Sequence, residues 1–326
     1  MNSKIVILDN GELVLSDIVL GTCYFGSTIS ESDSFALLDR YYELGGRTID
    51  TARVYGQIID NGESASERTI GKWLDSRDVR SKITLVTKGA HPSIGNINYS
   101  RLDRQSIVGD ITRSLELLKT DSVDLFLLHR DDIAVPVEEI VDILDLLVKN
   151  GMTKAVGVSN WKVGRIAEAN AYAEKSGKTK ISVSQIQWSL ARTTPDALND
   201  PTLVCMNREE YLGSLKNNIP VMAFSSQCKG LFSKYILNGE KALNDKIRQR
   251  FLNDFNLKRV EKVREVSEKY GVSPSAVILS CITSNPLSGV AIIGCSDLKQ
   301  LNDSMASVDF RLSIDEIKYL TDNEGY

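Results

Sequence analysis

The sequence predicts an α/β fold, a (β/α)8 barrel preceded by a small β-hairpin, and three observations carry that expectation. Short apolar runs recur along the chain, each followed by a helical pattern, and an end-to-end βαβα order implies a parallel sheet. Most of the runs are continuously apolar rather than alternating, as strands are when both faces are covered. Roughly eight such units fit a barrel, whereas an open doubly wound sheet usually has about five to seven strands and a glycine-rich turn after the first. The corresponding stretch, "VLGTCYFG", contains no G-x-G-x-x-G.

In chain order, "KIVILDNGELVLS" (4–16) alternates around Asn10-Gly11, a dipeptide suited to the positive φ angles of a tight turn, and predicts the hairpin. The barrel units then follow as "DIVLGT" with "SDSFALLDRYYELGG", "RTIDTA" with "SERTIGKWLDS", and "KITLVTKG" with "QSIVGDITRSLELLKT". "VDLFLLH" precedes "VEEIVDILDLLVKNG", "TKAVGVSN" precedes "KVGRIAEANAYAEKSG", and "KISVSQIQW" is the sixth strand. "IPVMAFSS" with "NLKRVEKVREVSEKYG", and "SGVAIIGCS" with "DLKQLNDSMASV", complete the set. The stretch from Ala191 to Asn218 is long and polar-mixed for one connection and reads as an elaborated loop on the functional face. No linker divides the chain, so residues 1–326 are expected to form a single barrel domain.

With 326 residues, 42% of them hydrophobic, the chain can bury a large core. A net charge of −4 lacks the basic footprint of a nucleic-acid binder or a polybasic membrane patch, which leaves a small soluble molecule as the expected partner. The N-terminal apolar runs are broken by Asp and Glu, and no run reaches the roughly 20 residues needed to span a bilayer. A cytoplasmic location follows as an expectation. Five scattered cysteines without C-x-x-C spacing predict reduced thiols, neither a disulfide framework nor a zinc site.

In a barrel of this kind, chemistry sits where the apolar runs stop, at the C-terminal ends of the strands. Those positions hold Asp50 and Tyr55 after the second strand, Lys88 at the end of the third and His129 at the end of the fourth. Each alone reads equally well as a cap, a packed aromatic, a solvated end or a structural histidine. Together on successive strands they suit protonation of a carbonyl oxygen as hydride reaches its carbon. A phenol is a weak acid at neutral pH, and a neighbouring ammonium lowers its pKa. Lys88 supplies that charge, Asp50 keeps Lys88 charged, and His129 donates a hydrogen bond to the carbonyl oxygen.

Here the chain resembles the aldo-keto reductases, through "TIDTARVYG", "LVTKG", "LFLLH", "GVSNW", "SQIQWS" and "IIGCS", which span nearly its whole length. The resemblance implies that Asp50, Tyr55, Lys88 and His129 form a catalytic tetrad, with Tyr55 as general acid in reduction and general base in oxidation. It implies a nicotinamide cofactor held at its carboxamide by Ser159, Asn160 and Gln185, and stacked on by Phe224. Ser225, Ser226 and Gln227 match the loop over the pyrophosphate, and Gly21 and Thr22 join the cofactor site. Gly294, Cys295, Ser296, Gln300 and Asp303 open the last barrel helix, whose N-terminus suits the adenosine phosphate. No Arg or Lys occupies the usual position for a 2′-phosphate there. NADP(H) is favoured on the family's habit, with NAD(H) close behind.

Substrate contacts are expected from Tyr24, Phe25, His91, Arg130 and Trp161, aromatic walls with charged rims that suit a polar, sugar-like carbonyl compound. The plainer reading of Arg130, Asp131 and Asp132, an ion-pair cluster capping a surface helix, stays open. The chain's end soon after the last helix implies a short substrate lid and a relatively open pocket, and the family default implies a monomer. Two other activities remain on the same fold: a redox-sensing regulatory or binding module, and a sugar lyase or isomerase. The complete set of four residue types weighs against the first, and the lack of carboxylates and histidines arranged as metal ligands against the second.

Overall fold

The computed structural model describes residues 2–8, 11–56, 63–93, 96 and 99–326. Two strands, β1 (Ser3–Leu8) and β2 (Gly11–Ser16), pair antiparallel from Ser3↔Ser16 to Leu8↔Gly11 as the expected hairpin; Asn10 of the expected turn lies outside the described residues. Eight parallel strands then close on themselves. They are β3 (Ile18–Gly21), β4 (Thr48–Asp50), β5 (Thr84–Gly89), β6 (Val123–Leu128), β7 (Thr153–Ser159), β8 (Ile181–Gln187), β9 (Val221–Phe224) and β10 (Gly289–Ile293).

The period of two along each strand sorts the side chains between two cores. Val19, Val86, Leu125, Leu127, Ala155, Val183, Met222, Val290 and Ile292 fill the barrel interior, and Val6, Leu13 and Leu15 of the hairpin join that layer. Residues one position away, such as Ile18, Leu20, Ile49, Leu85, Phe126, Val156 and Ile293, face the surrounding helices. The same parity carries the inward row upward from Val86 to Lys88, from Leu127 to His129, from Ala155 to Ser159, from Val183 to Gln185 and from Met222 to Phe224. Gly157 sits where an added Cβ would come 2.5 Å from the Leu127 side chain and 2.6 Å from the Val183 carbonyl oxygen, so this part of the lining is packed to contact.

Five helices alternate with the first strands as expected: α1 (Glu31–Glu43), α2 (Ala65–Arg77), α3 (Arg104–Leu118), α4 (Val137–Lys149) and α5 (Val163–Ser176). The expected loop from 191 to 218 is shorter than its sequence implied, because Arg208–Lys216 forms a sixth helix, α6. Asn207 caps it by accepting the Glu210 amide, and Glu209 and Glu210 lie in its first turn, where negative charge is favoured. Between β9 and β10 the chain forms α7 (Leu231–Asn238), α8 (Asp245–Phe251), α9 (Asp254–Tyr270) and α10 (Pro274–Thr283), of which only α9 was expected. Every residue of α10 from Ser275 to Thr283 is buried, so it has no polar face to mark its period. α11 (Leu298–Met305) and α12 (Ile314–Leu320), the latter with a Ser313/Glu316 capping box, close the fold. Among the described residues, no helix is long and apolar enough to cross a membrane.

Candidate active site

Closure of the barrel brings the four strand-end residues together. Lys88 Nζ lies 2.7 Å from Asp50 Oδ2, donates to the Thr51 carbonyl at 2.8 Å and reaches Tyr55 Oη at 3.2 Å. Both members of the ion pair are sealed from solvent, their side chains 1% and 3% exposed. Asp50 Oδ1 is used as well, accepting from Gln185 Nε2 at 2.8 Å. The imidazole of His129 stands edge-on to the Tyr55 ring, centroids 5.9 Å apart. Among the described residues, no group of three or more His, Cys, Asp and Glu could hold a metal ion.

Burial sets the protonation states. It lowers the Lys88 ammonium below its ordinary range, and the Asp50 charge and hydrogen bond oppose that loss. The Tyr55 phenol is held well above its ordinary value, by burial first and then by the charge of Asp50, with Arg130 opposing. The expectation that the phenol is drawn down towards neutral pH is thereby corrected: burial outweighs the opposing charge of Arg130. Burial also lowers His129 far below its usual range, and Arg130 adds to the effect, so the ring is neutral at neutral pH. Its Nδ1 is buried without a partner. A lone pair is less costly to bury unpaired than an N–H, so the proton sits on Nε2.

The backbone behind these groups is braced by hydrogen bonds. Thr22 donates from both its amide and its hydroxyl to the Asp50 carbonyl, at 3.1 and 2.9 Å. Ser66 Oγ lies 2.8 Å from the hydroxyls of both Thr22 and Thr51, so the first turn of α2 ties together the loops after β3 and β4. Gly56 has φ +92° and lies against Ala65, which a Cβ would meet at 2.6 Å. Nothing in the strand pattern marks Ser66, since its partners are 44 and 15 residues away.

The remaining expected residues divide. Gly21 is in register with Asp50. Ser159 Oγ accepts from Asn160 Nδ2 at 3.0 Å; Asn160 adopts φ +60°, and its Oδ1 accepts from the Val204 amide at 3.2 Å, fastening the segment after β8. Phe224 lies partly buried above the interior layer. Ser225 has φ +52°, the Ser226 hydroxyl donates to the Ile292 carbonyl at 2.7 Å, and Gln227 donates to Ser304 at 3.0 Å. Gly294 is exposed, whereas the Cys295 thiol packs into the core, its pKa pushed up to about 12 by burial, so only its backbone meets the surface. Gln300 accepts from the Ser296 amide at 3.1 Å and donates to Asp297 at 2.8 Å; Asp303 is half-buried on the next turn.

Of the substrate candidates, Tyr24 is exposed, with Lys229 Nζ 5.8 Å from its ring centroid, and His91 stacks edge-on against His129, centroids 4.7 Å apart. Phe25 and Trp161 are enclosed in the core, 1% and 0% exposed. Trp161 Nε1 donates to the Arg130 carbonyl at 3.2 Å. Arg130 is buried too, and its donors go to Thr202 at 2.8 Å, the His129 carbonyl at 2.9 Å and Asp200 at 3.0 Å. It clamps the 200–204 segment to the end of β6. Asp131 pairs with Arg165 of α5 at 2.9 Å instead, so the expected ion-pair cluster exists as two separate pairs.

With this geometry in view, the comparisons with known proteins agree on a lineage. Over 324 residues the chain is 27% identical to norsolorinic acid reductase stcV of Emericella nidulans, spanning 94% of this chain and 78% of that protein. It is 28% identical over 319 residues to a Saccharomyces cerevisiae protein named as an aryl-alcohol dehydrogenase, AAD14, spanning 94% and 81%. It is 27% identical over 315 residues to the uncharacterized oxidoreductase YrpG of Bacillus subtilis, spanning 95% and 92%. The sequence profile of the Aldo/keto reductase family matches residues 17–323, and the chain belongs to that family of oxidoreductases.

Proposed function

We propose that the protein reduces an aldehyde or ketone to an alcohol with a nicotinamide cofactor, reversibly, with Tyr55 as the proton donor. The observation that carries the reading is the enclosed contact of Lys88 with Asp50, Thr51 and Tyr55 beside a neutral His129. The mouth has groups that fit the cofactor. Ser159, Asn160 and Gln185, on and just after β7 and within β8, are read as the groups that hold its carboxamide. Ser225, Cys228, Lys229 and Gly230, in the segment after β9, all have positive φ. The Cys228 and Gly230 amides close turns on the Ser225 and Gln227 carbonyls, at 2.9 and 2.8 Å, which holds the loop that would cover the pyrophosphate. Ser296, Lys299 and Gln300 at the start of α11 suit a 2′-phosphate, and NADP(H) is the favoured form over NAD(H).

When bound, the cofactor supplies the hydride. The protein's own work is the proton. Because Lys88 donates to Tyr55 Oη, the phenol's proton is free to point at the carbonyl oxygen. As negative charge grows there, the phenol, a stronger acid than the product alcohol, releases its proton. The phenolate left behind faces the Lys88 ammonium, which Asp50 keeps charged. His129 Nε2–H donates to the same oxygen and fixes its orientation. The raised Tyr55 pKa gives the two directions opposite pH dependence: reduction holds level through neutral pH, and oxidation, which needs the phenolate, rises as pH rises.

The substrate class proposed is a small carbonyl compound, aromatic or sugar-like. An aromatic one draws on the names of the aryl-alcohol dehydrogenase and norsolorinic acid reductase relatives and on the exposed ring of Tyr24. Loss of NADPH and NADH absorbance with a panel of aromatic aldehydes, keto-sugars and aliphatic ketones tests the reading. Turnover with several members and tighter use of NADPH is the expected result. No cofactor oxidation with any member would end it.

A further inference from the structure

His91 is aimed, and the aiming is built. Ala90 next to it is buried at φ +56°, a left-handed conformation that a residue with a Cβ adopts only when its surroundings impose it. Asp110 of α3 imposes it by accepting the Ala90 amide at 2.8 Å. Arg101 grips both Asp110 oxygens, at 2.9 and 2.8 Å, and donates to the His91 carbonyl at 3.2 Å. The result is the edge-on pair of imidazoles, planes 81° apart.

The tautomer of His91 follows from its neighbour. Nδ1 is 2.7 Å from the Pro92 carbonyl oxygen, which can only accept, so Nδ1 carries the proton. Burial, with Arg130 adding, keeps the ring below its usual pKa and therefore neutral. Nε2 then holds a lone pair with no donor among the described residues, on a residue that is half-buried. Two imidazoles in contact thus offer opposite functions: a donor at His129 Nε2 and an acceptor at His91 Nε2. Arg130, whose charge is felt at His91, gives three of its N–H groups to Thr202, Asp200 and the His129 carbonyl.

We propose that His91 determines specificity by accepting a hydrogen bond from a substrate hydroxyl, so that the preferred substrates are α- or β-hydroxy carbonyl compounds. The carbonyl oxygen meets Tyr55 and His129, and the adjacent hydroxyl meets His91. This rests on the carbonyl-reductase reading of the mouth, and the test separates the two.

Initial rates of NADPH oxidation are measured with benzaldehyde, 2-hydroxyacetophenone and 2-methoxyacetophenone, for the wild type, His91→Phe and His91→Gln. The methoxy compound keeps the oxygen and loses the donor. Wild type is expected to favour the hydroxy compound in kcat/KM by about three- to tenfold, the usual worth of one such hydrogen bond. The ratio falls to about one in His91→Phe and recovers in His91→Gln, whose side-chain carbonyl can accept. A wild-type ratio near one, or a ratio that survives His91→Phe, overturns the role of His91 while benzaldehyde turnover leaves the reductase reading intact. Absence of turnover with all three overturns both.

Discussion

Asp50 and Glu67 are both carboxylates shut away from water, one inside the barrel mouth and one in the layer between its wall and the helices. Asp50 has a partner on each oxygen, the Lys88 ammonium on one and the Gln185 amide on the other. Glu67 of α2 accepts only the Thr87 hydroxyl, at 2.6 Å, and its second oxygen has no partner. Burial pushes the Glu67 carboxyl up to about 7, with the Thr87 hydroxyl opposing. Thr87 and Lys88 are neighbours on β5, yet parity sends one outward to Glu67 and the other inward to Asp50. Burial is common to both acids; what differs is the partner. A charge is kept at depth where a counter-charge and a full set of hydrogen bonds come with it, a condition that the Asp50–Lys88 pair meets and Glu67 does not.

The strongest way to break this contrast is to remove the counter-charge. Lys88→Met leaves Asp50 buried without its cation and Tyr55 without its donor. Its reductive kcat is expected to fall by about a hundred- to ten-thousandfold, the usual worth of a positioned proton-transfer group. Near-normal steady-state turnover in that variant would deny Lys88 its place. A smaller loss is expected from Gln185→Leu, which frees Asp50 Oδ1. A drop of about tenfold in kcat, beyond any change in cofactor KM, marks Gln185 as acting through Asp50. A change confined to cofactor KM assigns it to cofactor binding alone.

Glu67→Gln sharpens the other side of the comparison. The native pKa of Glu67 lies above its ordinary value, so the fold binds that proton more tightly than the unfolded chain does. Its stabilising effect is complete below the ordinary carboxylate range and is lost as pH rises through about 7. Thermal melting of the wild type should therefore decline between about pH 5 and 8 by a few degrees more than that of Glu67→Gln. Parallel melting curves for the two proteins would remove Glu67 from the account.

What the sequence revealed follows the same division. Asp50, Tyr55, Lys88 and His129 were legible because each ends an apolar run, and a barrel gathers strand ends at one face. Gln185 was legible as a residue of that face, but not as the partner of Asp50, 135 positions away, which only barrel closure brings near. Ser66 carries no pattern at all. Phe25 and Trp161 read as pocket walls because aromatic residues beside a mouth look alike in sequence, while the fold turns these two into the core. Arg130 read as part of a local cluster with its neighbouring aspartates, and its true partners, Asp200 and Thr202, come from the segment after β8. α10 was hidden by its own burial.

The central claim is that Tyr55, set against Lys88, gives the proton to the carbonyl. Tyr55→Phe keeps the ring and removes only the hydroxyl, so NADPH oxidation by this variant and the wild type, at saturating aldehyde and with cofactor affinity measured separately by fluorescence titration, tests it most directly. A fall in kcat of about a hundredfold or more with cofactor affinity unchanged is the predicted result; turnover within about twofold of wild type would contradict it.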